Sequence, residues 1–87
     1  MRVTYGKNIS WQEIGNAIYI VEEKQNLRYK LEGTAKEIWV NLNMSDINTL
    51  SRQFCTQYAN ADVEQICTDI KLFINELLQR GLIGEIK

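Results

Sequence analysis

Leu31-Glu32-Gly33-Thr34-Ala35-Lys36-Glu37-Ile38-Trp39-Val40-Asn41-Leu42 places a strand end, a turn, a helix cap and an amphipathic helix within twelve residues. Just upstream, Leu27, Tyr29 and Leu31 alternate with Arg28, Lys30 and Glu32, the period of two that marks a half-buried strand. Gly33 breaks that alternation. Thr34 stands three residues before Glu37, the spacing at which an N-cap hydroxyl and a returning carboxylate satisfy two orphan backbone donors. Behind it Ala35, Ile38, Trp39 and Leu42 recur at i, i+3, i+4 and i+7, the buried stripe of a helix.

Before this stretch the signals are those of strands. Ile9 to Ile14 reads as a short mixed strand carrying Trp11, and Gly15-Asn16 as a two-residue hairpin turn that needs a positive φ. Ala17 to Val21 is nearly all apolar, as in a central strand covered on both faces. The polar run Glu22-Glu23-Lys24-Gln25-Asn26 turns the chain into the third strand, Leu27 to Leu31.

After it the signals are those of helices. The first is expected from about Ala35 to Asn43. Ser45 or Asp46 can cap a second, with Ile47, Leu50, Phe54 and Tyr58 on one face. Asp62, with Gln65 three later, opens a third whose stripe holds Val63, Ile66, Cys67, Ile70, Phe73, Ile74, Leu77 and Leu78. Gly81 is a plausible C-cap, and Leu82, Ile83 and Ile86 can close over the core. The predicted fold class is α+β and winged helix-turn-helix-like: a three-stranded antiparallel meander followed by three helices. It forms a single domain over residues 1–87, with residues 1–8 expected to fray.

Composition bounds the rest. Eighty-seven residues suffice for one modest core. At 45% hydrophobic residues and a net charge of −1 the chain reads as globular. No apolar run approaches the roughly 20 residues of a membrane span, and the N-terminus has no signal-peptide core, so a cytoplasmic protein is expected. Cys55 and Cys67 lie twelve apart in a chain without histidine, and read as small apolar fillers rather than metal ligands or a bridge.

The chemistry available is slight. Catalysis needs a nucleophile or an acid–base pair held in register. With no histidine, no Gly-rich phosphate loop and dispersed carboxylates, the chain reads as a binder and not an enzyme, with no cofactor and no metal. A helix-turn-helix shape allows nucleic acid, but duplex binding rests on Lys and Arg at phosphates. The third helix carries Asp62, Glu64, Asp69 and Glu76 against Lys71 and Arg80, and the sequence pI is about 5.4. That balance argues against nucleic acid and leaves a winged-helix regulator, or a docking subunit of a larger enzyme, as the alternatives.

The pattern Tyr29-x-Leu31-x-x-Thr34-Ala35-x-x-Ile38-Trp39, with the Gly81-Leu82-Ile83 finish, resembles the PqqD-like family. These are RiPP recognition elements, small domains that bind the leader segments of ribosomally made, modified peptides. The resemblance covers about residues 9–83. Where PqqD proper usually has Pro-Glu-Gly in its second hairpin and Leu-Asn before its helix, this chain has Glu22-Glu23-Lys24 and Leu31-Glu32. It is therefore more similar to the stand-alone recognition proteins of lasso-peptide pathways than to the quinone-cofactor protein.

The resemblance implies a precursor leader peptide as partner, lying as an added strand along residues 27–31 in a groove walled by the third helix. The implied enzyme partners are a leader peptidase, a cyclase or a radical SAM enzyme. The expected peptide-binding residues are Leu27, Arg28, Tyr29, Lys30 and Leu31 on the strand. On the helix they are Ile66, Asp69, Leu72, Phe73 and Glu76. Leu72 is the large apolar residue off the helix's stripe, whereas Phe73 serves equally well as core. Arg28 and Lys30 also serve as plain edge protection, and Asp69 and Glu76 as solvated charges.

Overall fold

The computed structural model describes residues 2–56 and 63–86, without the side chains of Cys55 and Val63. In order, these are β1 (Arg2–Tyr5), β2 (Ile9–Ile14), β3 (Ala17–Glu22), β4 (Leu27–Glu32), α1 (Gly33–Asn41), β5 (Ser45–Asp46), α2 (Ile47–Thr56), α3 (Val63–Gln79) and β6 (Ile83–Ile86). The architecture is α+β. β2, β3 and β4 form the antiparallel meander that the alternation and turn signals predict.

Each turn has a local cause. Gly15 takes φ +60° while Asn16 stays out of the positive region, the II′ pattern that joins Ile14 to Ala17. The next turn is closed from below by Glu22. This buried carboxylate accepts the amides of Lys24 at 3.0 Å and Gln25 at 2.7 Å, which explains an acid at the end of the central strand.

Three strands lie outside the predicted meander and form a second sheet. Residues 2–5, within the stretch expected to fray, form β1, which pairs with β6 from Arg2↔Ile86 to Tyr5↔Ile83 and with β5 on its other side. Fully buried Val3 anchors β1, and Tyr5 donates its hydroxyl to the Trp39 carbonyl at 2.7 Å. Burial pushes the Tyr5 pKa up, so the phenol stays a donor. The core gathers Ile18 and Ile20 from β3, Ile38 and Trp39 from α1, Leu50 and Phe54 from α2, and Ile70, Ile74 and Leu77 from α3. β3 is fully covered on one face; on the other Ala17 is buried but Tyr19 is 41% exposed.

Three helix-end expectations can be checked. Asp46 caps α2, its Oδ1 accepting the amides of Asn48 at 3.0 Å and Thr49 at 3.1 Å. Gly81, at φ +75°, ends α3 in a Schellman motif: its own amide reaches the Leu78 carbonyl, and that of Leu82 reaches Leu77. The predicted Thr34–Glu37 box is corrected. Glu32 holds the N-cap position of α1, with extended backbone and no side-chain cap bond. Gly33 at φ +60° turns the strand directly into the helix, which leaves Thr34 one residue inside it.

Cys67 is disulfide-bonded, so its reading as an apolar filler fails. The Cys55 side chain, Tyr58 and the Asp62 cap lie outside the described residues. Among the described residues no helix is long and apolar enough to cross a membrane.

Candidate functional site: an open strand edge beside a groove

β4 is the outer strand of the meander, and hydrogen-bond alternation shows which of its residues face outward. A two-residue turn bonds the carbonyl of its first residue to the amide of its fourth, so Ile14 and Ala17 are a hydrogen-bonded pair. Bonded and non-bonded pairs alternate along an antiparallel ladder. Ala17, Tyr19 and Val21 therefore bond towards β2, and Ile18, Ile20 and Glu22 towards Leu31, Tyr29 and Leu27 of β4. The backbones of Arg28, Lys30 and Glu32 are left pointing away from the sheet.

Side chains divide the other way. Leu27, Tyr29 and Leu31 share the face of Ile18 and Ile20, towards the helices, while Arg28, Lys30 and Glu32 lie on the opposite face. There Lys30 pairs with Glu32 at 3.1 Å and sits 5.8 Å from the Tyr19 ring centre. The Glu32 carboxylate raises the Lys30 pKa, and both side chains are well exposed. This is a solvated edge charge pair of small energetic weight.

Three hollows follow the flank of α3, one against β4 and two against the start of α1. One of about 170 Å³ is walled by Tyr29 and Leu31 on the strand and by Phe73, Glu76 and Arg80 on the helix side. A second of about 160 Å³ shares Phe73 and adds Thr34, Ala35, Ile38, Asp69 and Ile70. The third, of about 240 Å³, shares Thr34, Asp69 and Ile70 and ends at Ile66. From Ile66 to Arg80 the groove follows fourteen helical steps, roughly 21 Å at 1.5 Å each. Six residues of extended chain span roughly 20 Å. The described part of the groove has room for about six extended residues, and β4 walls its Arg80 end.

Of the predicted residues, Tyr29, Leu31, Ile66, Asp69, Phe73 and Glu76 line the groove. Arg28 and Lys30 contribute backbone edge rather than wall, and Leu27, 42% exposed, stands at the strand's start. Leu72 is 62% exposed and lines none of the three hollows.

Thr34, expected chiefly as a cap, is part of the wall. Arg80 was not foreseen there. It stacks 5.4 Å from the Tyr29 ring centre and pairs with Glu76 at 2.6 Å. The i,i+4 spacing of Glu76 and Arg80 was readable in advance, but the stacking on a strand residue was not.

A separate hollow of about 200 Å³, lined by Ser10, Trp11, Gln12, Tyr19 and Val21, lies on β2 and β3. It has no counterpart of α3 as a second wall.

The sequence profile of the coenzyme PQQ synthesis protein D (PqqD) family matches residues 19–83. No curated protein matches the chain significantly in sequence. The solved structure of TbiB1 in complex with the TbiA(beta) leader peptide is similar in fold, with a TM-score of 0.80 and 14% sequence identity. The likeness covers 97% of this chain and 98% of that one.

Proposed function

Because the chain belongs to the PqqD family, whose profile covers most of its length, we propose that it captures the leader segment of a ribosomally made precursor peptide. The leader adds a fourth strand to β4, its alternate side chains enter the groove against α3, and the remaining precursor is presented to modifying enzymes. The observation that carries this reading is an open strand edge whose Tyr29 and Leu31 wall a hollow against α3, with two more hollows continuing along α3. That a fold relative is a complex with a leader peptide supports it.

Energetics explain why both parts are needed. Three outward residues offer six backbone groups, each bond worth about 0.5–1.5 kcal/mol net. Association costs roughly 4–15 kcal/mol. At mid-range the edge supplies about 6 kcal/mol against a cost of about 9, and buried apolar anchors of about 1.5–3 kcal/mol each supply the difference. Tyr29, Leu31, Ile66 and Phe73 are the anchors' seats, and Leu72 belongs to the rim.

The chain acts by binding, without catalysis. Its enzyme partners are a leader peptidase and a macrolactam-forming cyclase in the lasso-peptide reading, or a radical SAM enzyme in a related pathway. Ribosomal precursors place this work in the cytoplasm.

Hydrogen exchange with synthetic peptides covering the short reading frames beside the gene tests the proposal. Amide protection is expected to rise at Arg28, Lys30 and Glu32. Protection confined to Ile9–Ile14, or tight and steeply salt-dependent binding of duplex DNA instead, overturns it.

A further inference from the structure

Three charged side chains line the groove, and two of them answer each other. Glu76 and Arg80 form a close pair with Arg80 laid over Tyr29, so that end presents a neutralised, stacked surface. Asp69 has no such counterpart. Its Oδ1 accepts the Gln65 amide at 2.9 Å, and among the described residues no Lys or Arg pairs with it. Apart from the Thr34 hydroxyl, its neighbours among the described residues in the two hollows it lines are apolar: Ile66 and Ile70 in one, Ala35, Ile38, Ile70 and Phe73 in the other. A carboxylate set among apolar walls, oriented by Gln65 and lacking a cation, selects a positively charged guest.

Spacing places that guest in the ligand's sequence. Asp69 and Phe73 are one helical turn apart, roughly 6 Å along α3. Alternate residues of an extended strand on one face are separated by roughly 6.5 Å. Successive inward side chains of the ligand therefore meet Asp69 and Phe73 in turn.

Direction follows from the sheet. β4 runs from Tyr29, beside Arg80, to the junction at Thr34, beside Asp69. Antiparallel addition, the more stable pairing, sends the ligand past Asp69 first.

We infer that Asp69 is a specificity-determining residue that recognises a Lys or Arg placed two positions before a large apolar side chain in the captured peptide. The inference rests on the leader-capture reading and adds the chemical pattern of the leader. Glu76, though equally acidic, does not share the role, because Arg80 occupies it.

The test is selection from a displayed library of random peptides on the full chain, its Asp69→Lys variant and its Asp69→Asn variant. The wild type is expected to enrich Lys or Arg two positions before Phe, Leu or Ile. Asp69→Lys should enrich Asp or Glu there and keep the apolar position. Asp69→Asn should lose the charge preference, and the best wild-type peptide should bind it about fivefold more weakly, the upper range for a solvent-reachable pair. Asp69 is exposed, so the variants are expected to fold, and their melting temperatures check this. If Asp69→Lys does not fold, Asp69→Asn decides alone.

Apolar enrichment without a charge preference, or an unchanged preference in the variants, overturns the inference and leaves leader capture standing. Failure of the wild type to enrich any extended apolar peptide removes both.

Discussion

The meander has two outer edges with the same backbone chemistry and opposite surroundings. On β2 the outward residues are Ile9, Trp11 and Glu13, the members of the non-bonded pairs with β3. Trp11 lies against Tyr5 and Trp39, at ring centre distances of 5.3 and 6.0 Å, and Glu13 is tied to Lys36 of α1. On β4 the open edge lies beside Tyr29 and Leu31, which wall a hollow against Phe73, Glu76 and Arg80. Unpaired backbone invites any strand. It selects a ligand only where a second wall can take that ligand's side chains.

Proline substitution at outward positions breaks the comparison most sharply, because an outward amide leaves no bond within the sheet to lose. Lys30→Pro removes one donor from the binding edge and sets a ring in the incoming strand's path. Loss of leader affinity by at least about a hundredfold is expected from these combined costs, with the surface Lys30–Glu32 pair and the Lys30 contact over Tyr19 lost in the free protein. Glu13→Pro on the other edge should leave affinity unchanged. Titration of both variants with the same peptide checks the pair; equal losses would erase the distinction between the edges.

The groove's floor is the next lever. Phe73 lines two of the hollows, so Phe73→Ala should weaken capture about ten- to a hundredfold, the value of one buried apolar side chain. Because Phe73 also packs against the core, the melting temperature is measured alongside. A loss of affinity explained wholly by unfolding would reassign it to the core.

Leu72 should give the smallest effect. Outside the lining and well exposed, Leu72→Asp is expected to change affinity by less than about threefold and stability by no more than about 0.5 kcal/mol. A tenfold loss by calorimetric titration would extend the groove over the crest of α3.

Periodicity made the meander, the α2 cap at Asp46 and the Gly81 terminus of α3 readable in advance, because each rests on contacts between near neighbours in sequence. The second sheet was not readable. β1, β5 and β6 are short, and β1 and β6 meet across almost the whole chain, so no local pattern announces their pairing. The α1 cap misled for a related reason: Gly33's positive φ made the turn itself, and the Thr34–Glu37 spacing was idle as a box.

At the site, the alternation of β4 and the stripe of α3 pointed to Tyr29, Leu31, Ile66 and Phe73. Helical phase alone overrated Leu72, since an off-stripe residue can face either the groove or open water. Arg80 escaped because its partner ring comes from a strand fifty-one residues away.

The pairing of Arg2 with Ile86 has a practical reach beyond stability. Opposed residues of an antiparallel ladder sit roughly 5 Å apart, so the first and last described residues stand side by side. A linker of a few residues suffices to join them, and the chain can be reopened at the exposed Gly15-Asn16 turn. In the same way, the unit can be spliced into a host polypeptide as a cassette that enters and leaves at one point, with β4 and α3 still facing outward.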